Sequence, residues 1–130
     1  MSTNRVFLVI GFFFFMNTVF SQSWETVNPL PTSTNINGVS FINADSGFLA
    51  VGEDNIYRTY DGGNTWKGVP AIVADYFQDM TSVNNKGFII GHNASIGRTD
   101  DYGKTWNFIQ GPGYSTYWKI KFADPLHGWI

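Results

Sequence analysis

A chain of 130 residues with eight Lys and Arg, ten Asp and Glu, two His and no Cys has room for one domain at most. Without cysteine it forms neither disulfides nor thiolate metal sites, and its slight negative charge offers no basic surface to a phosphate backbone, which argues against a nucleic-acid partner. Twelve Phe is a high count for this length, and six of them precede residue 21, so two segments of different character have to be separated.

Residues 1–21 read as an export signal. Arg5 is the single charge there, followed by an apolar stretch from Val6 to Met16. That stretch suits a signal core and is shorter than the roughly twenty residues a membrane-spanning helix needs. Val19-Phe20-Ser21 places a small residue at the junction, so cleavage is expected before Gln22, the alternative being an uncleaved N-terminal anchor. The mature chain 22–130 then keeps seven Lys and Arg against ten Asp and Glu, with no transmembrane segment left. His92 and His127 have no His-x-x-x-His spacing, so no zinc site is expected.

Trp24 to Pro29 opens the mature chain as a strand. Residues 38–42 alternate apolar and small, 43–47 turn, and 48–52 form an apolar run suited to a central strand. A turn at 53–55 leads to an alternating strand at 56–60. Asp61-Gly62-Gly63-Asn64 is the tightest hairpin signal in the chain, because Gly and Asn accept positive φ. Residues 65–69 make a fourth strand. The pattern then recurs: Thr59-Tyr60-Asp61-Gly62-Gly63-Asn64-Thr65-Trp66 reappears 40 residues on as Thr99-Asp100-Asp101-Tyr102-Gly103-Lys104-Thr105-Trp106. Asp45-Ser46-Gly47-Phe48 reappears as Asn85-Lys86-Gly87-Phe88, and His127-Gly128-Trp129 begins a third copy. Four short antiparallel strands in about 40 residues is the size of one β-propeller blade. No sustained helical periodicity is present, so the expected fold is all-β with essentially no helix.

The repeat divides the mature chain into a strand at 24–29, a unit at 36–70, a second at 79–110 and the start of a third at 117–130. The first strand has no unit of its own ahead of it, as if it completes a last blade. Repeat units bury their faces against neighbours, and about three are needed for stability. The expectation is therefore a piece of a longer protein, about two and a half blades of a partial propeller.

The two octapeptides resemble the Asp-box of sialidase-type (BNR) repeats. With Gly38-Val39-Ser40-Phe41, Gly47-Phe48, Val51-Gly52-Glu53 and Arg58-Thr59 around the first box, residues 24–130 are similar to the photosystem II stability/assembly factor family of β-propellers. That resemblance implies secreted bacterial relatives and a scaffold that binds a partner. The protein is then exported, to the periplasm, outer surface or exterior of a bacterium, and its partner is another protein or a glycan. A link to photosynthesis comes from the resemblance alone. In the assembly factors an arginine-rich patch is the docking surface proposed, which marks Arg58 and Arg98 as candidate partner-binding residues. Tyr57, Tyr60, Tyr102, Tyr114, Tyr117 and Trp118 are further contacts, or else pack between blades.

The box residues Thr59, Asp61, Gly63, Thr65 and Trp66, with Thr99, Asp101, Gly103, Thr105 and Trp106, have a structural reading. The Thr and Asp side chains can satisfy backbone N–H groups of their own turn, Gly allows a left-handed backbone, and Trp adds apolar cover. An enzyme needs more. The sialidases this repeat resembles use three arginines, whereas the mature chain has Arg58 and Arg98 only. Asp75, Asp79 and Asp124 fall in turn-like segments and suggest no opposed acid pair. No phosphate loop or calcium loop is present, and no cofactor or metal is expected. Asn93-Ala94-Ser95 is a glycosylation sequon, meaningful only in a eukaryotic secretory route. The leading expectation is a non-catalytic binding scaffold. The alternative is part of a sialidase- or xyloglucanase-type glycoside hydrolase.

Overall fold

A computed structural model describes residues 31–52, 55–69 and 76–130. The export segment, the strand expected at 24–29 and Asp75 lie outside the described residues. Two four-stranded antiparallel sheets and one hairpin follow each other along the chain.

The first sheet has the order β1 (Ile36–Phe41), β2 (Gly47–Val51), β3 (Asn55–Thr59) and β4 (Lys67–Val69). The second repeats it with β5 (Phe77–Val83), β6 (Lys86–Gly91), β7 (Ser95–Thr99) and β8 (Asn107–Gln110). Strands β9 (Lys121–Asp124) and β10 (His127–Trp129) form the hairpin. Within each sheet every strand pairs with the one before it, so the connections inside a sheet are local. The fourth strand is shorter than its sequence suggests, because Thr65 and Trp66 still belong to the preceding turn.

The β2 strand is buried from end to end, as its unbroken apolar run requires, and β6 carries the equivalent Ile89 and Ile90 at zero exposure. Both are flanked by strands on either side, and the sheets they centre on face each other. Phe48, Ala50, Ile56, Val69, Phe77, Met80, Ile89 and Trp106 make one core cluster drawn from both sheets. The sheets approach most closely at their first strands, β1 beside β5 and β5 beside β9. Gly38 permits this approach, since a Cβ there would lie 2.8 Å from the Met80 backbone nitrogen.

Hydrogen bonds at one-repeat intervals tie the first strands together. Asn37 Nδ2 donates to the Phe77 carbonyl at 2.7 Å, and Ser40 Oγ donates to Ser82 Oγ, which donates onward to the Phe41 carbonyl. Asp79 accepts the Ile120 N–H at 3.1 Å. Sheets that share an inner line of first strands and stack face to face, each built on one sequence repeat, are the blades of a β-propeller.

One local departure from an all-strand reading occurs at His92–Ala94, a single 3-10 turn between β6 and β7. Asn93 and Ala94 there have φ of 51° and 56°. Asp79 also departs from expectation. It is not in a turn but within β5, 6% exposed, and held by the Ile120 N–H with Lys119 at 3.7 Å.

Candidate functional site

The β3–β4 and β7–β8 turns are built on the same hydrogen bonds. Thr59 Oγ1 donates to Asp61 Oδ1 at 2.7 Å and accepts the N–H groups of Asp61 and Gly63 at 3.2 and 2.9 Å. Asp61 then accepts the Thr65 N–H at 2.8 Å and its hydroxyl at 2.6 Å. In the second copy Thr99 Oγ1 donates to Asp101 Oδ1 at 2.8 Å and accepts the Gly103 N–H at 2.9 Å. Asp101 accepts the Thr105 N–H and hydroxyl at 2.9 and 2.7 Å. The two threonines are buried, at 2% and 0% exposure, so their hydroxyls meet the turn amides where water does not reach.

The carboxylates sit at the turn surface and are held ionised. Hydrogen bonds from the Thr65 hydroxyl, the Thr65 N–H and the Thr59 hydroxyl bring the Asp61 pKa down to about 2. At Asp101 partial burial pushes upward, and the Thr105 hydroxyl, its N–H and the Thr99 hydroxyl outweigh it, leaving about 2 as well.

Gly63 and Gly103 adopt φ of 93° and 74°, as the turn demands. The residue before each is also left-handed, Gly62 at 68° and Tyr102 at 59°. Trp106 is 3% exposed and meets Phe48 of the first blade edge-on, with ring centroids 5.5 Å apart. Trp66 is only half-buried, against Phe41 of its own sheet at 6.1 Å. The two tryptophans therefore differ in surroundings although their turns match.

Arg58 and Arg98 occupy equivalent registers, opposite Phe48 and Phe88 respectively. Their partners differ. Arg58 lies over the Tyr60 ring at 5.1 Å and donates from Nη1 to its hydroxyl at 3.1 Å, while its Nε is buried and finds no partner among the described residues. Tyr60 in turn donates to the Tyr102 carbonyl across the blades at 3.3 Å. Arg98 is exposed and paired with Asp100 at 2.6 Å, with Lys86 at 3.7 Å from the same carboxylate. The Arg98 guanidinium beside Asp100 lowers that carboxyl below its ordinary value. Among the described residues, Arg98 thus has a carboxylate partner and Arg58 has none.

Of the aromatic candidates, Tyr114 and Trp118 are the most open, at 85% and 64% exposure, whereas Tyr57 and Tyr117 are half-buried. Tyr117 donates to the Pro112 carbonyl at 2.8 Å. His92 follows β6 and opens the 3-10 turn, stacked on Tyr76 at 5.2 Å with Gln78 Nε2 3.0 Å from its Nε2. Asp124 caps its own hairpin, accepting the Leu126 and His127 N–H groups and facing His127 Nδ1 at 2.8 Å. Among the described residues no three His, Cys, Asp or Glu side chains converge as a metal set, and no helix is long and apolar enough to cross a membrane.

The sequence that builds this blade pair matches a family model, described as photosynthesis system II assembly factor YCF48, over residues 16–113. The chain belongs to that family. The solved structures similar to it include two that carry the comparison. One is YCF48 bound to D1 peptide, 32% identical with a TM-score of 0.56, covering 62% of this chain and 28% of that one. The other is YCF48 from Cyanidioschyzon merolae, 25% identical with a TM-score of 0.64, covering 82% of this chain and 34% of that one. The chain thus spans about a third or less of the length of these relatives. No curated protein matches it.

The sequence did not mark Phe48 or Asp79 as site-shaping residues. The Phe48 signal was present, since Gly-Phe recurs at 47–48 and 87–88. That its ring crosses to the next blade's tryptophan follows only from the stacking.

Proposed function

We propose that this protein is an exported, non-catalytic β-propeller scaffold that holds a partner polypeptide during assembly. The observation that carries the reading is its kinship with an assembly-factor family, one solved member of which is bound to a D1 peptide. The turn carboxylates support a non-catalytic role. Asp61 and Asp101 spend their acceptor capacity on their own turns, and Asp79 and Asp124 on inter-blade and hairpin N–H groups.

Arg58 is the residue we assign to partner contact, with Arg98 as its weaker counterpart. Arg58 has no carboxylate partner among the described residues, and its guanidinium is held beside the Tyr60 ring by the bond from Nη1 to the Tyr60 hydroxyl, which orders the side chain. Arg98 must first part from Asp100.

Titrating a fluorescent D1 peptide against the protein tests this by anisotropy. Saturable binding weakened several-fold by Arg58→Gln, and less by Arg98→Gln, is the expected result. Binding unchanged by both variants removes the arginines from the site, and no binding at all removes the polypeptide assignment. Export is tested separately, by the N-terminus of the protein recovered outside the cytoplasm. Gln22 is the expected first residue, and a chain that still begins at Met1 refutes cleavage.

A further inference from the structure

Arg58 stands opposite Phe48 in the β2–β3 ladder, and cross-strand partners leave a sheet on the same side. Phe48 meets Trp106 of the second blade, so Arg58 belongs to the seam between two blades whose strands are all described. Its Nη1 donates to the Tyr60 hydroxyl at 3.1 Å, and that hydroxyl donates to the Tyr102 carbonyl at 3.3 Å, 42 residues on. Chemistry fixes the direction of both bonds. A guanidinium has no lone pair to offer, so the tyrosine oxygen must accept from it, and the one phenolic hydrogen is left for a carbonyl that can only accept. The Arg58 side chain is therefore tied, through Tyr60, to the backbone of the next blade.

Tyr60 fills the second position of the turn octapeptide. The hydrogen bonds of that turn run among Thr59, Asp61, Gly63, Asn64 and Thr65, so the Tyr60 side chain is not spent on the turn itself. The second blade places Asp100 in the same slot, where its carboxylate takes Arg98 at 2.6 Å. One slot in the repeat thus sets the state of the arginine two residues before it. Asp neutralises that arginine, whereas Tyr orients it and leaves it without a carboxylate partner among the described residues. Because Nε of Arg58 is buried, a partner can meet only the Nη groups, and the phenol already holds one of these in place.

We infer that Tyr60 is a positioning residue for partner binding: its hydroxyl, anchored on the Tyr102 carbonyl, aims the Arg58 Nη groups at an acceptor oxygen of the partner polypeptide. The inference rests on the assignment of Arg58 to partner contact and adds to it. Contact through Arg58 becomes a property of the blade pair, because the anchor lies on the second blade. A long side chain held in one orientation before binding avoids part of the ordering cost that association otherwise incurs.

D1 peptide binding by the wild type, Tyr60→Phe, Arg58→Gln and the double variant tests the inference as a coupling cycle. Tyr60→Phe keeps the ring beside the guanidinium and removes only the hydroxyl, and urea midpoints check that the seam persists. It should weaken binding several-fold on its own and add nothing in the Arg58→Gln background. Tyr60→Asp, which copies the second blade, should weaken binding as much as Arg58→Gln does. NMR of the guanidinium hydrogens in protein carrying isotope-labelled arginine reads the positioning without any peptide. The Arg58 Nη1 hydrogens should be resolved in the wild type and averaged by fast rotation in Tyr60→Phe. Unchanged Arg58 signals in Tyr60→Phe overturn the positioning role, as does a binding loss of equal size in both backgrounds, and in either case Arg58 keeps its assignment. An Arg58→Gln variant that binds like the wild type removes that assignment and this inference with it.

Discussion

Phe48 on the first blade and Trp106 on the second meet edge to face, their ring planes inclined at 78°. This contact joins the two apolar layers, because Phe48 is 1% and Trp106 3% exposed and each stands on a different repeat. Truncating either should open a cavity at the seam. Trp106→Ala is expected to cost about 3–5 kcal/mol, the range for removing a large buried aromatic. Trp66→Ala should cost clearly less, since its indole is half-buried and touches Phe41 of its own sheet. Denaturant midpoints of the two variants check the ranking, and equal losses would show that the turn rather than the seam determines the cost.

Glycine variants separate turn geometry from seam packing. Gly63 and Gly103 both have positive φ, so Ala at either is strained by about 1–2 kcal/mol. At Gly63 the new Cβ would find Trp66 Cζ2 at 3.5 Å, an ordinary contact, whereas at Gly103 it would fall 2.1 Å from Phe48 Cε1. Gly103→Ala should therefore be the more damaging of the two, and Phe48→Leu in the same chain should recover part of the difference. A double-mutant cycle by urea unfolding measures that coupling. A coupling of zero would mean that the Phe48 ring moves aside at no cost.

The buried threonine hydroxyls offer a cleaner test of the turn hydrogen bonds than the exposed acids do. Thr99→Val keeps the shape at a fully buried position but leaves the Gly103 N–H without its acceptor. An unsatisfied buried amide costs about 1–3 kcal/mol. Thr99→Ser, which keeps the oxygen, should recover most of the loss. If Ser and Val destabilise equally, the methyl group and not the hydroxyl is what matters at this position.

The strands and turns were legible because they are local. Alternation, the Gly-containing hairpins and the displacement of 40 residues between Trp66 and Trp106 fix four strands per unit, to within a residue or two. The turn hydrogen bonds were equally readable, because Thr, Asp and the amides they serve lie within four residues of each other. Relations between blades were not. Asp79 looks like a turn acid beside Gln78 and Tyr76, and only the arrival of Ile120 from 41 residues away turns it into a buried inter-blade acceptor. Likewise, Arg58 and Arg98 are equivalent in sequence, and what distinguishes them is Tyr60 against Asp100 two residues on. The difference in burial between Trp66 and Trp106 has the same origin, a neighbouring sheet on one and an open groove on the other.

Tyr102 is the one position where the second turn departs from the first in a costly way. It holds φ of 59°, where the first turn has Gly62 at 68°. A left-handed backbone costs a residue with a Cβ roughly 1–2 kcal/mol, part of which glycine returns through its freer unfolded chain. Tyr102→Gly is expected to stabilise by about 0.5–1 kcal/mol, net of that entropy. The Tyr60 hydroxyl bonds the Tyr102 backbone carbonyl, so the inter-blade hydrogen bond survives the change. Tyr102→Ala keeps the strain and loses the ring, and it should not stabilise. A Tyr102→Gly variant that unfolds earlier than the wild type would show that the tyrosine ring supplies more than the backbone strain removes.

Acid should loosen the turns in a defined window. Asp61 and Asp101 titrate at about 2 in the folded chain, below the ordinary carboxylate value of about 3.9. Protons therefore bind the unfolded chain more readily than the folded one. Above about pH 4 both states are ionised and the full stabilisation is present. As pH falls from about 4 toward about 2 the unfolded chain takes up protons first, and the contribution drains away. Urea midpoints for the wild type and for a double Asp61→Asn, Asp101→Asn variant, measured between pH 6 and pH 2.5, read this directly. The variant should be the less stable at pH 6, and the gap should narrow steadily below pH 4. A gap that stays constant across the range would assign the variant's loss to amide geometry instead of to the charge that Thr59, Thr65, Thr99 and Thr105 hold in place.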